Sequence, residues 1–297
     1  MSMLGNILKL REKSENNISE LPALIMLAQE MCENVVHGAH AQRKAGMGEK
    51  FWQFREYESS DRPQDIDWRQ SAKGDDVLVR QKEWHSTQKS YLWCAGGKSM
   101  AFRSSKSVLS KQDCAMVITL SLALLLRRGE EQIGIYGNLN TGRSEERIEK
   151  IGHYLLNRET QGDALPDTQG FSLPLNASFF ACGDFLTEKE DIHRHLVTLS
   201  ERTKNGIIVQ VLDPAELDLS YSGRVRFTGV SADYNTTIDH VASVREHYIQ
   251  RMNAHTDFIK SLCHDYGWHY ILHRTDTDIA DTLRDIQAIY DNERSAP

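Results

Sequence analysis

Leu21, Leu24, Ile25, Ala28, Met31, Cys32 and Val35 recur at intervals of three and four residues. That period places one apolar stripe along a helix. Ser19 just ahead of the stripe, with Glu20 and Pro22 in the first turn, is an N-terminal cap signature. Residues 1–18 are polar and aperiodic and read as an arm, and the Gly- and Lys/Arg-rich run 38–50 reads as a loop. Val77 and Val79, then Lys82 and Trp84, alternate after Gly74-Asp75-Asp76 and predict a turn followed by a strand. From residue 89 the pattern becomes regular. Strands are predicted at 90–95, 132–136, 176–182, 206–212 and 268–273, with a short edge strand at 225–228.

Helices alternate with these strands. Ser110 with Asp113 caps one that closes at Arg127, Arg128 and a terminal Gly129. A second spans 148–156. Thr187-Glu188-Lys189-Glu190 reads as a capping box opening a third towards Thr203. Asp239 caps a long helix to about His264, and Thr277 a last one to about Asn292. Such alternation implies an α/β fold, a mostly parallel sheet flanked by helices on both faces. The N-terminal helix and the segment before residue 89 form an addition, so the expected division is 1–88 and 89–297.

Charge narrows the function classes. Lys and Arg number 35 against 42 Asp and Glu, a formal balance of −7 over 297 residues. No broad attraction to nucleic acid or anionic lipid is expected from that balance. The longest apolar stretch, Met116–Leu126, is too short to span a bilayer. The first residues carry no secretory pattern. Five cysteines (Cys32, Cys94, Cys114, Cys182, Cys263) are scattered without a CxxC pair, so buried thiols and a cytoplasmic location are expected.

Candidate chemistry is sparse. Gly97-Lys98-Ser99 after a strand is like the end of a phosphate-binding loop, which gives the alternative of a nucleotide-binding enzyme. The earlier glycine that such a loop needs is replaced by Leu92, and the clear helix starts late, at Ser110. Twelve histidines form no HExxH, and no GxSxG elbow is present. Asp65 and Asp67, crowded by Arg62 and Arg69, read as ion-pair partners more readily than as an acid/base pair. Four of the five tryptophans fall in 51–93, interleaved with Arg and Asp/Glu of nearly cancelling charge. Such a segment is suited to bracing a sheet or presenting a partner surface.

The string from Phe51 to Trp84 resembles the signature of a bacterial family, domain of unknown function 58. Its markers are Phe51, Arg55, Tyr57, Asp61, Ile66-Asp67-Trp68-Arg69, Ser71-Ala72 and Val79-Arg80. The likeness continues through Ser99-Met100, Asp184-Phe185, Asp213-Pro214-Ala215-Glu216 and His273-Arg274-Thr275-Asp276. The chain looks like the short type that lacks the transmembrane helices of many relatives. The resemblance implies a von Willebrand factor A-like domain, with a metal site at the carboxyl ends of the strands. Its first loop, Asp-x-Ser-x-Ser, would fall on Ala95, Gly97 and Ser99, and a later carboxylate on Asp184.

Ala95 and Gly97 bear no side-chain oxygen, so the site is expected to be degenerate and to hold no metal. Lys98 is a candidate to direct its ammonium at Asp184 instead. The resemblance also implies a non-enzymatic interaction module needing no cofactor, an adaptor or partner of a MoxR-type AAA+ ATPase.

Overall fold

The computed structural model describes residues 20–42, 53–57, 66, 68–74, 76–81, 88–105, 109–161, 164–229 and 235–295. The chain forms two compact units, one comprising Met1–His40 with Gln88–Pro297 and the other Ala41–Thr87. The N-terminal helix thus groups with the sheet, and only the segment between forms a unit of its own.

In chain order the elements begin with α1 (Glu20–Gln42), β1 (Gln53–Glu56), α2 (Trp68–Ser71) and β2 (Leu78–Gln81). There follow β3 (Lys89–Cys94), α3 (Lys111–Arg128), β4 (Gln132–Ile135), β5 (Leu139–Gly142) and α4 (Glu146–Gln161). Then come β6 (Ala177–Gly183), α5 (Lys189–Ser200), β7 (Thr203–Leu212) and α6 (Pro214–Asp218). The last are β8 (Val225–Thr228), β9 (Asn235–Ile238), α7 (Ala242–Asp265), β10 (His269–Arg274) and α8 (Ile279–Ser295).

The main sheet has six strands in the order β10-β7-β6-β3-β4-β5. All neighbours are parallel except β5, which runs antiparallel to β4. This is the expected α/β class, consistent with a von Willebrand factor A-like architecture. From β3 the chain moves to β4 on one side; from β6 it moves to β7 on the other. The carboxyl ends of β3 and β6 therefore flank the switch point, where open α/β sheets hold ligands.

Helix α3 is the centre of one face. Fourteen of its 18 residues are buried, as befits a helix covered on several sides. Its Gln112 Nε2 donates to Cys94 Sγ of β3 at 3.9 Å, and α8 adds Tyr290 against Phe180, 5.8 Å between ring centroids. Behind it lies α1, where Ser121 Oγ donates to the Ala28 carbonyl at 3.4 Å and Cys32 Sγ to the Ser121 carbonyl at 3.2 Å. The opposite face carries an aromatic run, Tyr136 on Phe179 at 5.3 Å and Phe179 on Trp268 at 5.7 Å. Helix α7 covers that side with Ile259, Leu262 and Cys263, buried in the same core as Trp268. All five cysteines are buried free thiols.

Several local expectations change. Helix α1 runs through Gly38 to Gln42, into the stretch read as a loop. Strands β1 and β5 were not foreseen, being four residues each. Strand β8 pairs with β9 in a separate ribbon and is no edge of the main sheet. Helix α5 has Glu188 as its N-cap with no side-chain cap bond, and the Thr187 hydroxyl has no partner among the described residues. Helix α7 is preceded by Val241, while Asp239 pairs with Arg224 at 3.0 Å. At α8 it is Asp278 that accepts from the Ala280 N–H; the Thr277 hydroxyl donates backwards to the Arg274 carbonyl. Gly129 ends α3 at φ −78°, and the left-handed residue is Glu130 at φ 63°.

The second unit holds the ribbon β1–β2, antiparallel from Gln53↔Gln81 to Glu56↔Leu78. Ser71 Oγ at the end of α2 accepts from the Leu78 N–H at 2.8 Å.

Candidate functional site

At the switch point β3 hands over to a loop that folds back on α3. The Ala95 N–H donates to the Cys182 carbonyl at 2.8 Å, extending the ladder by one residue. Gly97 takes φ +97°, a left-handed conformation that admits glycine readily. The loop then turns through Gly97–Phe102, and the Gln112 N–H donates to the Met100 carbonyl at 2.8 Å. Ser104 N–H reaches Asp213 Oδ2 at the end of β7, 2.9 Å away. Asp213 also caps α6: its Oδ1 accepts from the Ala215 N–H at 2.8 Å, and its own N–H donates to Glu216 Oε2 at 3.0 Å. This is a reciprocal capping box.

Lys111, the first residue of α3, stands at the centre. Its Nζ lies 2.9 Å from Asp184 Oδ2 and 2.6 Å from Glu216 Oε1, with side-chain exposures of 0%, 2% and 16% for the three groups. Burial pushes the Glu216 carboxyl above its usual range, and the neighbouring Lys111 pulls it the other way. Asp184 is fixed further by its backbone: its carbonyl accepts from Gln210 Nε2 at 2.8 Å, and the Tyr270 hydroxyl donates to Gln210 Oε1 at 2.7 Å. Phe185, next in the chain, has φ +50°, its ring is buried, and its carbonyl accepts from His255 Nε2 at 2.8 Å.

The residues do not fit a divalent ion as they stand. Such a hard cation takes six or more oxygen ligands, carboxylates among them. Ala95 is fully buried but bears only a methyl group. One carboxylate oxygen each of Asp184 and Glu216 is held by the ammonium, and the other accepts from a backbone N–H, of Leu186 and of Asp213 respectively. Among the described residues no three His, Cys, Asp or Glu side chains converge as a ligand set.

The expected residues thus come together in part. Ala95 lies against Gly183, the residue before Asp184: a Cβ on that glycine would lie 2.6 Å from that of Ala95. Ser99 is half-buried, and its carbonyl accepts from the Phe102 N–H. The lysine directed at Asp184 is Lys111 and not Lys98, which is exposed. Lys111 left a legible trace: a cation at the first position of a helix opposes the macrodipole, so some tertiary partner was implied. Glu216 lay inside a quoted motif, but its role needs the turn after β7.

Of the signature residues, Phe51, Asp61 and Asp67 lie outside the described residues. Arg55 pairs with Val79, and Phe54 with Arg80, in the ribbon. Arg69 and Tyr57 are exposed, and Trp68 is 66% exposed.

Beside the Asp184 loop, at the same sheet edge, lies a groove of about 920 Å3. Leu186, Leu219, Phe227, Ile238 and Met252 form its apolar lining, and Arg251 stands on its rim. Among the described residues no helix is long and apolar enough to cross a membrane.

No curated protein and no solved structure matches the chain. The family described as "Protein of unknown function DUF58" matches residues 53–257, more than half of the chain. The match runs from β1 through the switch point into α7, and the chain belongs to the DUF58 family.

Proposed function

We propose that this protein is a non-enzymatic protein–protein interaction module, and that its partner is a MoxR-type AAA+ ATPase bound at the carboxyl edge of the sheet. The observation that carries the reading is the contrast at that edge. Asp184, Asp213 and Glu216 are all engaged by donors of the chain itself, so they stabilise the loops and are not poised for proton transfer. Directly beside them the groove offers an apolar lining together with Tyr248 and Arg251, residue types enriched in binding hot spots. Net acidity and the absence of a basic stripe support a protein partner over a nucleic acid.

The rival nucleotide-binding enzyme needs a helix starting at Lys98. Residues 98–101 form a turn here, and α3 begins only at Lys111.

Binding of the purified ATPase to the immobilised protein tests the reading. Arg251→Glu and Phe227→Asp are each expected to weaken it by about ten-fold, about 1.4 kcal/mol. An ATPase that does not bind, or binds both variants as tightly as the parent, overturns the proposal.

A further inference from the structure

We infer that the Lys111 ammonium is a built-in cation: it takes the place between the strand-end carboxylates that a divalent ion would occupy, and makes this edge independent of metal. Three observations converge. Lys111 has no side-chain exposure at all, and its ammonium bridges Asp184 and Glu216, carboxylates that follow two different strands, β6 and β7. Lysine is almost never fully buried unless paired. Second, the residue sits at the first position of α3, where the helix dipole disfavours positive charge. Local helix preference therefore does not account for it; the two carboxylates do. Third, the substitution is matched around it. Ala95 lacks the oxygen that a metal would need, its methyl faces Gly183, and the loop closes by backbone bonds instead.

An ammonium has three hydrogens to give. Two go to carboxylates on separate loops, which is how a bound ion would clamp them. Its bearing on partner docking rests on the interaction reading above; the cation replacement itself does not.

Thermal unfolding of the full chain in EDTA and in millimolar Mn2+ tests the inference without any partner present. The parent is expected to melt at the same temperature in both. Lys111→Met keeps the volume but leaves two carboxylates facing each other, and is expected to melt about 10 °C lower. Lys111→Ala opens space, so Mn2+ is expected to raise its midpoint, and Lys111→Ala/Asp184→Asn is expected to show no such rise. If Lys111→Ala does not fold, Lys111→Met/Asp184→Asn/Glu216→Gln decides: recovery to near the parent midpoint supports the inference, and no recovery overturns it. An undiminished Lys111→Met midpoint overturns it too. So does a folded Lys111→Ala that ignores Mn2+, or a Mn2+ site in the parent lost on Asp184→Asn. The ATPase experiment fails or succeeds separately, since loss of binding leaves every melting result readable.

Discussion

Asp184 stands one residue beyond β6 with Gly183 behind it, and the missing side chain of that glycine lets Ala95 approach. Replacing Ala95 with Asp puts a carboxylate into a fully buried position against Gly183. With Lys111 already bridging Asp184 and Glu216, burying this further charge costs about 3–5 kcal/mol. Ala95→Asp/Gly97→Ser is therefore expected to melt well below the parent and to bind no Mn2+ by calorimetry; tight binding would show that oxygen ligands alone restore a site. His273 gives a pH signature. Its Nδ1 lies 2.8 Å from the Thr282 hydroxyl, its Nε2 has no partner among the described residues, and burial lowers its pKa to about 4, against the opposite pull of Asp276 and Asp278. The folded state holds this ring neutral while the unfolded chain takes up a proton below about pH 6.5. Stability is therefore complete above that pH and falls as pH drops towards 4, by about 3 kcal/mol. Glu216, raised by burial, acts in the opposite sense. The difference between parent and His273→Asn unfolding curves from pH 7.5 to 4 isolates the histidine; equal slopes would contradict the assignment.

Among the elements, β7 shows how a strand accommodates its neighbour. Gly206 lies under the indole of Trp268, and a Cβ there would come 2.0 Å from Trp268 Cδ2. The ring cannot retreat, because Phe179 packs on it at 5.7 Å. Gly206→Ala is expected to lose about 1–3 kcal/mol in urea unfolding with the fold retained, since a packed interior resists even one added carbon. The long apolar periods of α1, α3, β6 and β7 were legible because burial repeats over many residues. Caps were less so. Thr187, Asp239 and Thr277 each have the right chemistry near a helix start, yet a neighbour or a backbone group won the position. Four-residue strands such as β1 and β5 carry too few alternations to announce themselves, and pairing with a partner strand defines them.

For the whole molecule, alternation of strands and helices was enough for the sheet class and for locating loops after β3 and β6 at one edge. Asp184 followed from that placement together with the family likeness. What the sequence could not reveal was convergence across distance: Lys111, Asp184 and Glu216 are separated by 73 and 105 positions as measured from the lysine. Lys98, nearer in sequence to the loop, was the natural candidate, but an exposed turn directs it to solvent.

A charge borne on a side chain has no metal ion to lose to the medium. It cannot be chelated, diluted or exchanged, and its occupancy is the same in every ionic medium in which the chain is folded. On the inference of a built-in cation, switching at this edge is expected to come from covalent change, from a proton, or from force applied by another molecule rather than from the supply of a free ion.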